Sequence, residues 1–155
     1  MKVNTTRFGK IEVDDSSIIR MPKGPIGFED QTDYVMVQQN LKTSFRWLQS
    51  MDDASLAFVV VDPSEFFNDY EVDICDADAA KIHLASEEDA LVITIVTFSC
   101  KGKEITTNLA APIIINSKEL IGMQIVLQDN RYCVKHSLVK RVEQSSQEKV
   151  ALKAA

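Results

Sequence analysis

The strongest constraint on the fold is a succession of short segments rich in β-branched and aromatic residues, separated by Gly, Pro, Asn and Asp. The segments predicted as strands are residues 3–8, 10–13, 18–21, 34–38, 45–51, 56–61, 71–74, 90–98, 105–108, 113–116, 124–127 and 132–134. Many short strands spaced by about a dozen residues favour a mostly β, compact antiparallel β-barrel-like single domain over repeated βαβ units. Residues 91–96 are apolar almost throughout, which is typical of a strand buried on both faces. Gly9 and residues 101–103 are predicted hairpin turns between neighbouring strands.

One short internal helix is predicted over residues 76–84. Asp76 is expected to cap its N-terminus, and Asp78 lies near the positive end of the helix dipole. Residues 1–140 are expected to form the β-barrel-like protein-binding domain. Residues 141–155 are polar and rich in Ala, Lys and Gln, so they are predicted to be a C-terminal tail, helical or frayed.

Length and composition indicate a soluble globular protein. A chain of 155 residues is the length of one domain, and no window approaches the ~18 consecutive apolar residues of a membrane span. The N-terminal residues lack the apolar core of a signal peptide, so a cytoplasmic location away from membranes is predicted. Cys75, Cys100 and Cys133 are odd in number and widely spaced, which favours three reduced thiols over a disulfide framework or a zinc site.

Acidic residues are concentrated in one segment. The net charge is −6, yet residues 62–89 carry ten acidic residues against the single basic Lys81. The acidic residues of this segment are Asp62, Glu65, Asp69, Glu71, Asp73, Asp76, Asp78, Glu87, Glu88 and Asp89. Such a segment repels phosphate backbones and attracts basic partners, so direct nucleic-acid binding is not expected. A surface that only confers solubility remains the alternative.

Three aromatic residues, Phe66, Phe67 and Tyr70, lie inside this acidic segment after Pro63. Not all three rings are expected to face one core from an irregular loop, so one or two are predicted to be surface anchors for a partner. The alternative is a short helical turn that packs Phe66 and Tyr70 inward. The residues predicted to bind a partner are Phe66, Phe67, Tyr70, Glu71, Asp73, Glu87, Glu88 and Asp89.

Two further stretches carry turn residues. In Gly24-Pro25-Ile26-Gly27-Phe28, Gly24 and Gly27 permit a tight reversal, and Phe28 is predicted to fill the core or a groove. A phosphate-binding loop is excluded because Phe28, and not Lys-Ser/Thr, follows the second glycine.

The second stretch is Asn108-Leu109-Ala110-Ala111-Pro112-Ile113-Ile114-Ile115-Asn116. Pro112 cannot donate to a central ladder, and Asn108 and Asn116 are expected to bond local backbone at the bends. The predicted role of all three residues is structural.

The sequence contains few residues in arrangements suited to catalysis. Cys133 and His136 have the spacing of two metal ligands, but a zinc site needs three or four. His83 and His136 are the only histidines, so no catalytic residue, metal or cofactor is predicted. A small-molecule-binding barrel with Trp47, Phe58 and Phe98 lining a cavity is the alternative function.

The glycine loop, the 63–71 stretch and the 108–116 stretch, in this order, resemble the flagellar assembly factor family FliW. The resemblance extends from about Lys2 to about Ser137 and includes the complete Gly-x-x-Gly-Phe loop. It implies a cytoplasmic protein that binds flagellin before export. It further implies that, once flagellin leaves, the freed protein binds and antagonises the translational repressor CsrA without touching RNA itself.

Overall fold

The computed structural model describes residues 1–39, 42–99 and 104–138. Its strands are β1 (Lys2–Thr5), β2 (Gly9–Glu12), β3 (Ile19–Arg20), β4 (Asp33–Val37), β5 (Arg46–Ser50), β6 (Ala57–Val61), β7 (Ala90–Phe98), β8 (Ile105–Thr107), β9 (Ile113–Asn116), β10 (Ile121–Gln124) and β11 (His136–Ser137). These described residues contain one α-helix, α1 (Asp76–Lys81), and short 3₁₀ turns at Asp15–Ser17, Pro63–Glu65 and Glu87–Asp89.

The main sheet curls into an incompletely closed barrel. Its strands follow the order β11-β8-β7-β6-β5-β4-β3-β10-β9, and β9 pairs back with β7 to complete a ring. The pairings are antiparallel except for β3 with β10, which are parallel and meet through the residue pair Arg20–Ile121. A separate hairpin is formed by β1 and β2. The expected mostly β, antiparallel, barrel-like domain with one short helix is therefore confirmed.

Apolar side chains from most of the ring fill the barrel. The central cluster consists of Ile19, Met21, Tyr34, Leu48, Val60, Ile93, Ile113 and Ile115. On β7, the consecutive residues Ile93 and Thr94 are only 1% and 0% exposed, so both faces of this strand are covered. This agrees with the prediction for residues 91–96, since consecutive strand side chains point to opposite faces.

Three predicted strands are misplaced. Residues 71–74 alternate between exposed and half-buried, but they form no regular element and join no ladder among the described strands. Residues 132–134 are not a strand, and the short pairing with β8 is made instead by His136–Ser137. The predicted strand at 124–127 lies earlier, at Ile121–Gln124, because its apolar pattern continues beyond the point where regular pairing with β9 ends.

The helix is shorter than expected, and its cap is different. Cys75 occupies the N-cap position without a side-chain hydrogen bond, so the prediction that Asp76 is the cap is wrong. Asp76 is instead the first helical residue, where its charge still complements the helix dipole. The helix ends before His83, whose φ of 56° is in the left-handed region.

Some predictions concern residues that lie outside the described ranges. These are Cys100, the predicted hairpin turn at 101–103 and the C-terminal tail from residue 141 onward. The predicted turn at Gly9 is confirmed, since Gly9 has a φ of +67° and its backbone pairs with Thr5 in the β1–β2 hairpin.

Candidate functional site

The described residues form an open groove of about 720 Å³ beside the N-terminal half of β7. Strand β6 ends at Val61, and the chain turns away from β7 at Asp62 and Pro63. The segment that follows α1 and residues 71–74 form the other walls. The lining residues are Asp62, Pro63, Ser64, Tyr70, Glu71, Val72, Asp73, Ile74, Asp76, Ala79, Leu84, Ala85, Ser86, Glu87, Ala90, Leu91 and Val92.

The groove is acidic at its rim and apolar at its base. Its carboxylates belong to Asp62, Glu71, Asp73, Asp76 and Glu87. Within the described ranges, none of these five carboxylates forms an ion pair within 4.0 Å. The base is formed by side chains such as Val72, Ile74 and Leu84, which pack on a cluster around the buried Ile82. An apolar floor with unpaired carboxylates above it suits a ligand that is both apolar and cationic.

Local side-chain caps fix the wall that leads away from β6. Asp62 accepts hydrogen bonds at Oδ1 from the Ser64 amide, at 3.0 Å, and from the Ser64 hydroxyl, at 2.7 Å. Pro63 occupies the first turn of the 3₁₀ helix, where its missing N–H costs nothing. The Asp-Pro-Ser sequence therefore ends β6 and begins the turn in one step.

The three acidic residues of the 3₁₀ turn Glu87–Asp89 lie in different surroundings. Glu87 lines the groove, whereas Glu88 is exposed outside the lining. Asp89 is half-buried and lies 3.6 Å from the Lys118 ammonium, while its carbonyl accepts a hydrogen bond from the Ser117 amide at 2.8 Å. Asp89 thus contributes to joining β7 and β9.

The aromatic cluster faces inward. Phe67 is 5% exposed, and the half-buried Phe66 and Tyr70 pack against the same apolar cluster. The prediction that the three rings cannot face one core is therefore wrong, because the 3₁₀ turn at Pro63–Glu65 curls the loop over that cluster. The alternative of an inward-packed turn is the better description of this stretch.

Tyr70 connects this cluster to the groove. Its hydroxyl donates to the Leu109 carbonyl at 2.7 Å, and its ring lies edge-on to Tyr132 with centroids 4.7 Å apart. Burial raises the pKa of the Tyr70 phenol, and the neighbouring Tyr132 raises it further. The Tyr132 hydroxyl in turn accepts a hydrogen bond from the Glu71 amide at 3.0 Å. Tyr70 and Tyr132 thereby hold the start of the 71–74 wall.

Asn116 fixes the opposite wall. Its amide nitrogen donates to the carbonyls of Ile82, at 3.0 Å, and His83, at 2.9 Å. Its amide oxygen accepts from the backbone of Lys118 at 3.0 Å and Glu119 at 3.3 Å. This buried side chain therefore attaches the C-terminal end of α1 to β9, as the structural interpretation of Asn116 predicts.

Asn108 and Pro112 lie in the connection between β8 and β9. Asn108 accepts a hydrogen bond from the Ala111 amide at 3.0 Å, and so caps the bend before β9. Pro112 precedes β9, and its carbonyl accepts from the Ile125 amide at 3.0 Å. Neither residue lines the groove.

The glycine loop is a turn that requires glycine at two positions, for a different physical reason at each. A Cβ on Gly24 would collide with the backbone carbonyl oxygens of Phe28 and Gln31, whereas Gly27 has a φ of +91°. Phe28 lies edge-on to Phe58, with ring centroids 5.3 Å apart, but is still 42% exposed. It covers the margin of the core without being enclosed by it, and the loop does not line the groove.

The small-molecule alternative gains no support from the three residues predicted for it. Phe58 packs against the central cluster, Trp47 lies beside Phe8 with the Arg7 guanidinium 4.3 Å from its ring centroid, and Phe98 is 47% exposed. These side chains contact different neighbours and do not surround one cavity. Core packing explains Phe58, and surface contacts explain the other two.

Metal ligation is equally unsupported. The Cys133 thiol lies 3.7 Å from Nδ1 of His136, so the predicted pair does meet. Among the described residues, however, no group of three or more His, Cys, Asp or Glu side chains is arranged to hold a metal ion. His83 lies beside Glu119, with Nδ1 and Oε1 3.4 Å apart.

Sequence reasoning found part of the groove and missed the rest. Of the predicted residues, Tyr70, Glu71, Asp73 and Glu87 line it together. Asp62 and Asp76 belong to the predicted acidic segment but are not among the residues predicted to bind a partner, and the sequence predicts Val92 only as part of a buried strand. The missed signal is the Asp-Pro pair at 62–63, which ends β6 while β7 continues beside it.

Comparison with known proteins agrees with the resemblance. The sequence matches the family described as FliW protein over residues 2–138. The flagellar assembly factor FliW of Syntrophus aciditrophicus is 38% identical over 143 residues, covering 92% of this chain and 90% of that protein. The corresponding protein of Leptospira biflexa is 36% identical over 149 residues, covering 96% and 97% respectively.

The fold leads to the same family. A crystal structure of the flagellar assembly factor FliW superposes with a TM-score of 0.82 at 33% identity, covering 89% of this chain and 96% of that one. No helix within the described ranges is long and apolar enough to cross a membrane. Both relatives are described as flagellar assembly factors. This chain belongs to the FliW family of flagellar assembly factors.

Proposed function

We propose that this protein works in the cytoplasm as a partner switch in flagellar assembly. In one state it holds flagellin before export; in the other, once flagellin has left, it binds the translational repressor CsrA and antagonises it. The observation that carries this proposal is membership in the FliW family across residues 2–138.

The chemistry of the groove supports a basic partner surface. Five carboxylates above an apolar floor lie within a segment that carries ten of the chain's acidic residues and one basic residue. An RNA-binding repressor presents cationic groups for phosphate, and these complement such a surface. Complementary charge of this kind raises the association rate and the specificity of a complex. The acidic groove is accordingly the proposed contact for CsrA.

A switch imposes a thermodynamic condition. Flagellin must lower the affinity for CsrA, either by occupying the same surface or by negative coupling between two sites. By linkage, CsrA then lowers the affinity for flagellin by the same factor.

Isothermal titration calorimetry tests this directly. The purified protein is titrated with flagellin and with CsrA from the same organism, and then with each partner in the presence of the other. The expected result is binding to both, with the affinity for CsrA falling by at least about tenfold when flagellin is present. A folded protein that binds neither partner would refute the proposed function.

A charge-reversal series tests the role of the groove. Glu71→Lys, Asp73→Lys and Glu87→Lys combined should weaken CsrA binding by about tenfold or more, and mainly through a slower association rate. The matched control is Asp14→Lys, Asp15→Lys and Asp30→Lys, which reverses three exposed carboxylates outside the groove lining. Equal losses in both triple variants would show that only net charge matters and that the groove is not the contact.

A further inference from the structure

The two sides of β7 are paired to different extents. On one side, residues 90–93 pair with β9 and residues 96–98 pair with β8. On the β6 side, the ladder consists of the pairs Val59–Val96, Val60–Ile95 and Val61–Thr94, and within the described residues no strand continues it toward Ala90. Residues 90–93 thus form an open sheet edge, and this edge borders the groove.

The backbone groups of Val92 point into that opening. The Ile95 carbonyl accepts a hydrogen bond from the Asn108 amide at 2.9 Å, and the Asp89 carbonyl accepts one from the Ser117 amide at 2.8 Å. The backbone N–H and C=O groups of odd-numbered residues therefore point toward β8 and β9. Backbone direction alternates along a strand, and even-numbered residues therefore face β6. Val92 is an even-numbered residue beyond the end of the β6 ladder.

A proline explains why β6 does not reach Val92. Continuing the antiparallel register from the pair Val61–Thr94 places Pro63 opposite Val92. Pro63 has no N–H to donate, and Asp62 has already begun a 3₁₀ turn that carries the chain away. The N–H and C=O of Val92 are consequently available to another strand.

The opposite wall of the groove has the side-chain alternation of a strand, although residues 71–74 belong to no strand. Val72 and Ile74 are half-buried toward the floor, whereas Glu71 and Asp73 are exposed. An extended segment lying between this wall and β7 would meet apolar side chains on one face and carboxylates on the other. A segment in which apolar and cationic side chains alternate would complement both faces, with its apolar side chains on the floor and its cationic side chains toward the carboxylates.

We propose that the open edge of β7 at residues 90–93 binds an extended, Lys- or Arg-containing segment of a partner protein by strand addition. The segment pairs its backbone with Val92, places alternate apolar side chains on the floor, and directs its cationic side chains to Glu71, Asp73 and Glu87. Backbone pairing supplies affinity in this mode of recognition, and side-chain alternation supplies specificity. The inference rests on the proposed function only in that the partner is a protein, and it does not depend on which protein it is.

The opposing explanation is that Pro63 and the carboxylates protect the edge from pairing. Proteins commonly place proline and charge at exposed strand edges to prevent association. The two explanations differ in their response to a cationic strand, which a protected edge rejects and a docking edge accepts.

The test uses the full chain and synthetic peptides. The probe is a short capped peptide in which Val and Lys alternate, and its matched control is a peptide in which Val and Glu alternate. Binding is followed by the amide resonances of Val92 and its neighbours as peptide is added up to about 1 mM, the range of weak but specific association. Strand addition predicts that the Lys peptide shifts the Val92 amide and slows its exchange with solvent, and that the Glu peptide does neither.

Backbone methylation separates strand pairing from charge attraction. In a bound strand, the N–H groups of every second peptide residue face β7. N-methylation of two of these residues removes the donors that pair with β7, and should weaken binding by about tenfold or more. N-methylation of two of the intervening residues, whose N–H groups point away from β7, should have a much smaller effect. The double variant Glu71→Lys, Asp73→Lys should also weaken binding by about tenfold, whereas Asp14→Lys, Asp15→Lys should not.

Two results would overturn the proposal. One is the absence of any shift at Val92 with the Lys peptide; the other is equal weakening by both methylation patterns. Failure of the partner switch is a separate outcome, since a protein that binds neither flagellin nor CsrA while pairing with the peptide at Val92 would retain the docking edge and lose the proposed function.

Discussion

The two halves of β7 differ in what holds them, although they belong to one continuous strand. The C-terminal half lies between β6 and β8, so backbone ladders run along both of its sides. The N-terminal half has a ladder only with β9, and its other side faces the acidic groove. Around the N-terminal half, side chains such as Asn116 and Tyr70 fix the surrounding walls.

This difference separates a rigid support from a surface available for binding. A strand paired on both sides opens only with large-scale unfolding, whereas a free edge keeps its backbone donors and acceptors exposed to other molecules. Because the two halves are continuous, the supported half fixes the position of the open one. Binding groups carried on a rigid strand keep their geometry better than groups on a loop.

The largest expected effect is on amide hydrogen exchange along β7. The Thr94 amide, fully buried and opposite Val61, should exchange on the order of 10³-fold more slowly than the Val92 amide two residues away. Exchange followed by NMR after dilution into D₂O measures both. Equal protection of the two amides would show that the edge is closed, and would remove the basis of the comparison.

A large loss of stability is expected when Asn116 is removed. Asn116→Ala leaves the carbonyls of Ile82 and His83 and the amides of Lys118 and Glu119 without their partner, at a cost of about 2–4 kcal/mol in unfolding free energy. Asn108→Ala is the matched control, since it removes one hydrogen bond from the Ala111 amide and should cost about 1 kcal/mol. Urea denaturation measures both, and equal losses would mean that Asn116 does not hold the open half in the way described.

Alkaline pH should weaken the fold through buried tyrosine. Burial, with a smaller contribution from Asp52, raises the pKa of Tyr34 from 10.0 to about 12. Between these values the unfolded chain has lost a proton that the folded chain keeps, so the unfolding free energy falls as pH rises, by up to about 3 kcal/mol. Denaturation midpoints measured across this range should fall less steeply in Tyr34→Phe, and an unchanged slope would contradict the assignment.

The smallest effects are expected from removing single tyrosine hydroxyls, one beside the groove and one in the central cluster. Tyr70→Phe loses the bond to the Leu109 carbonyl beside the groove and should cost about 1 kcal/mol. Tyr34→Phe removes a buried hydroxyl that has no hydrogen-bond partner among the described residues, so it should cost nothing or stabilise the protein by about 1 kcal/mol. Thermal unfolding compares the two variants, and a greater loss from Tyr34→Phe would reverse the expected order.

Most of the strands were predictable because their signal is local. Alternation and β-branched composition located β4, β5, β6, β7 and β9 to within a few residues, and the glycines at 9, 24 and 27 marked real turns. Local pattern failed at residues 71–74, which alternate like a strand but find no neighbour in the described sheet. Alternation reports one buried face, and it cannot report whether a partner strand is present.

The aromatic stretch failed for a related reason. The sequence places Phe66, Phe67 and Tyr70 among carboxylates, but it does not show that a 3₁₀ turn directs all three rings to one cluster. The orientation of a ring depends on backbone turns and on the cluster it meets. Both are set by residues distant in the chain, such as Leu109 and Leu138.

By itself, the amino-acid sequence determined the β-rich fold class, the short helix that begins at Asp76, the acidic segment and the turns that require glycine. These follow from side-chain shape, charge and backbone freedom, which act over a few residues. Only the tertiary structure decided that β6 ends at Val61 while β7 continues, and that residues 71–74 and Glu87 together line the resulting opening. The physical reason is that a groove is defined by the spacing between segments, and this spacing is fixed by strand register and long-range packing.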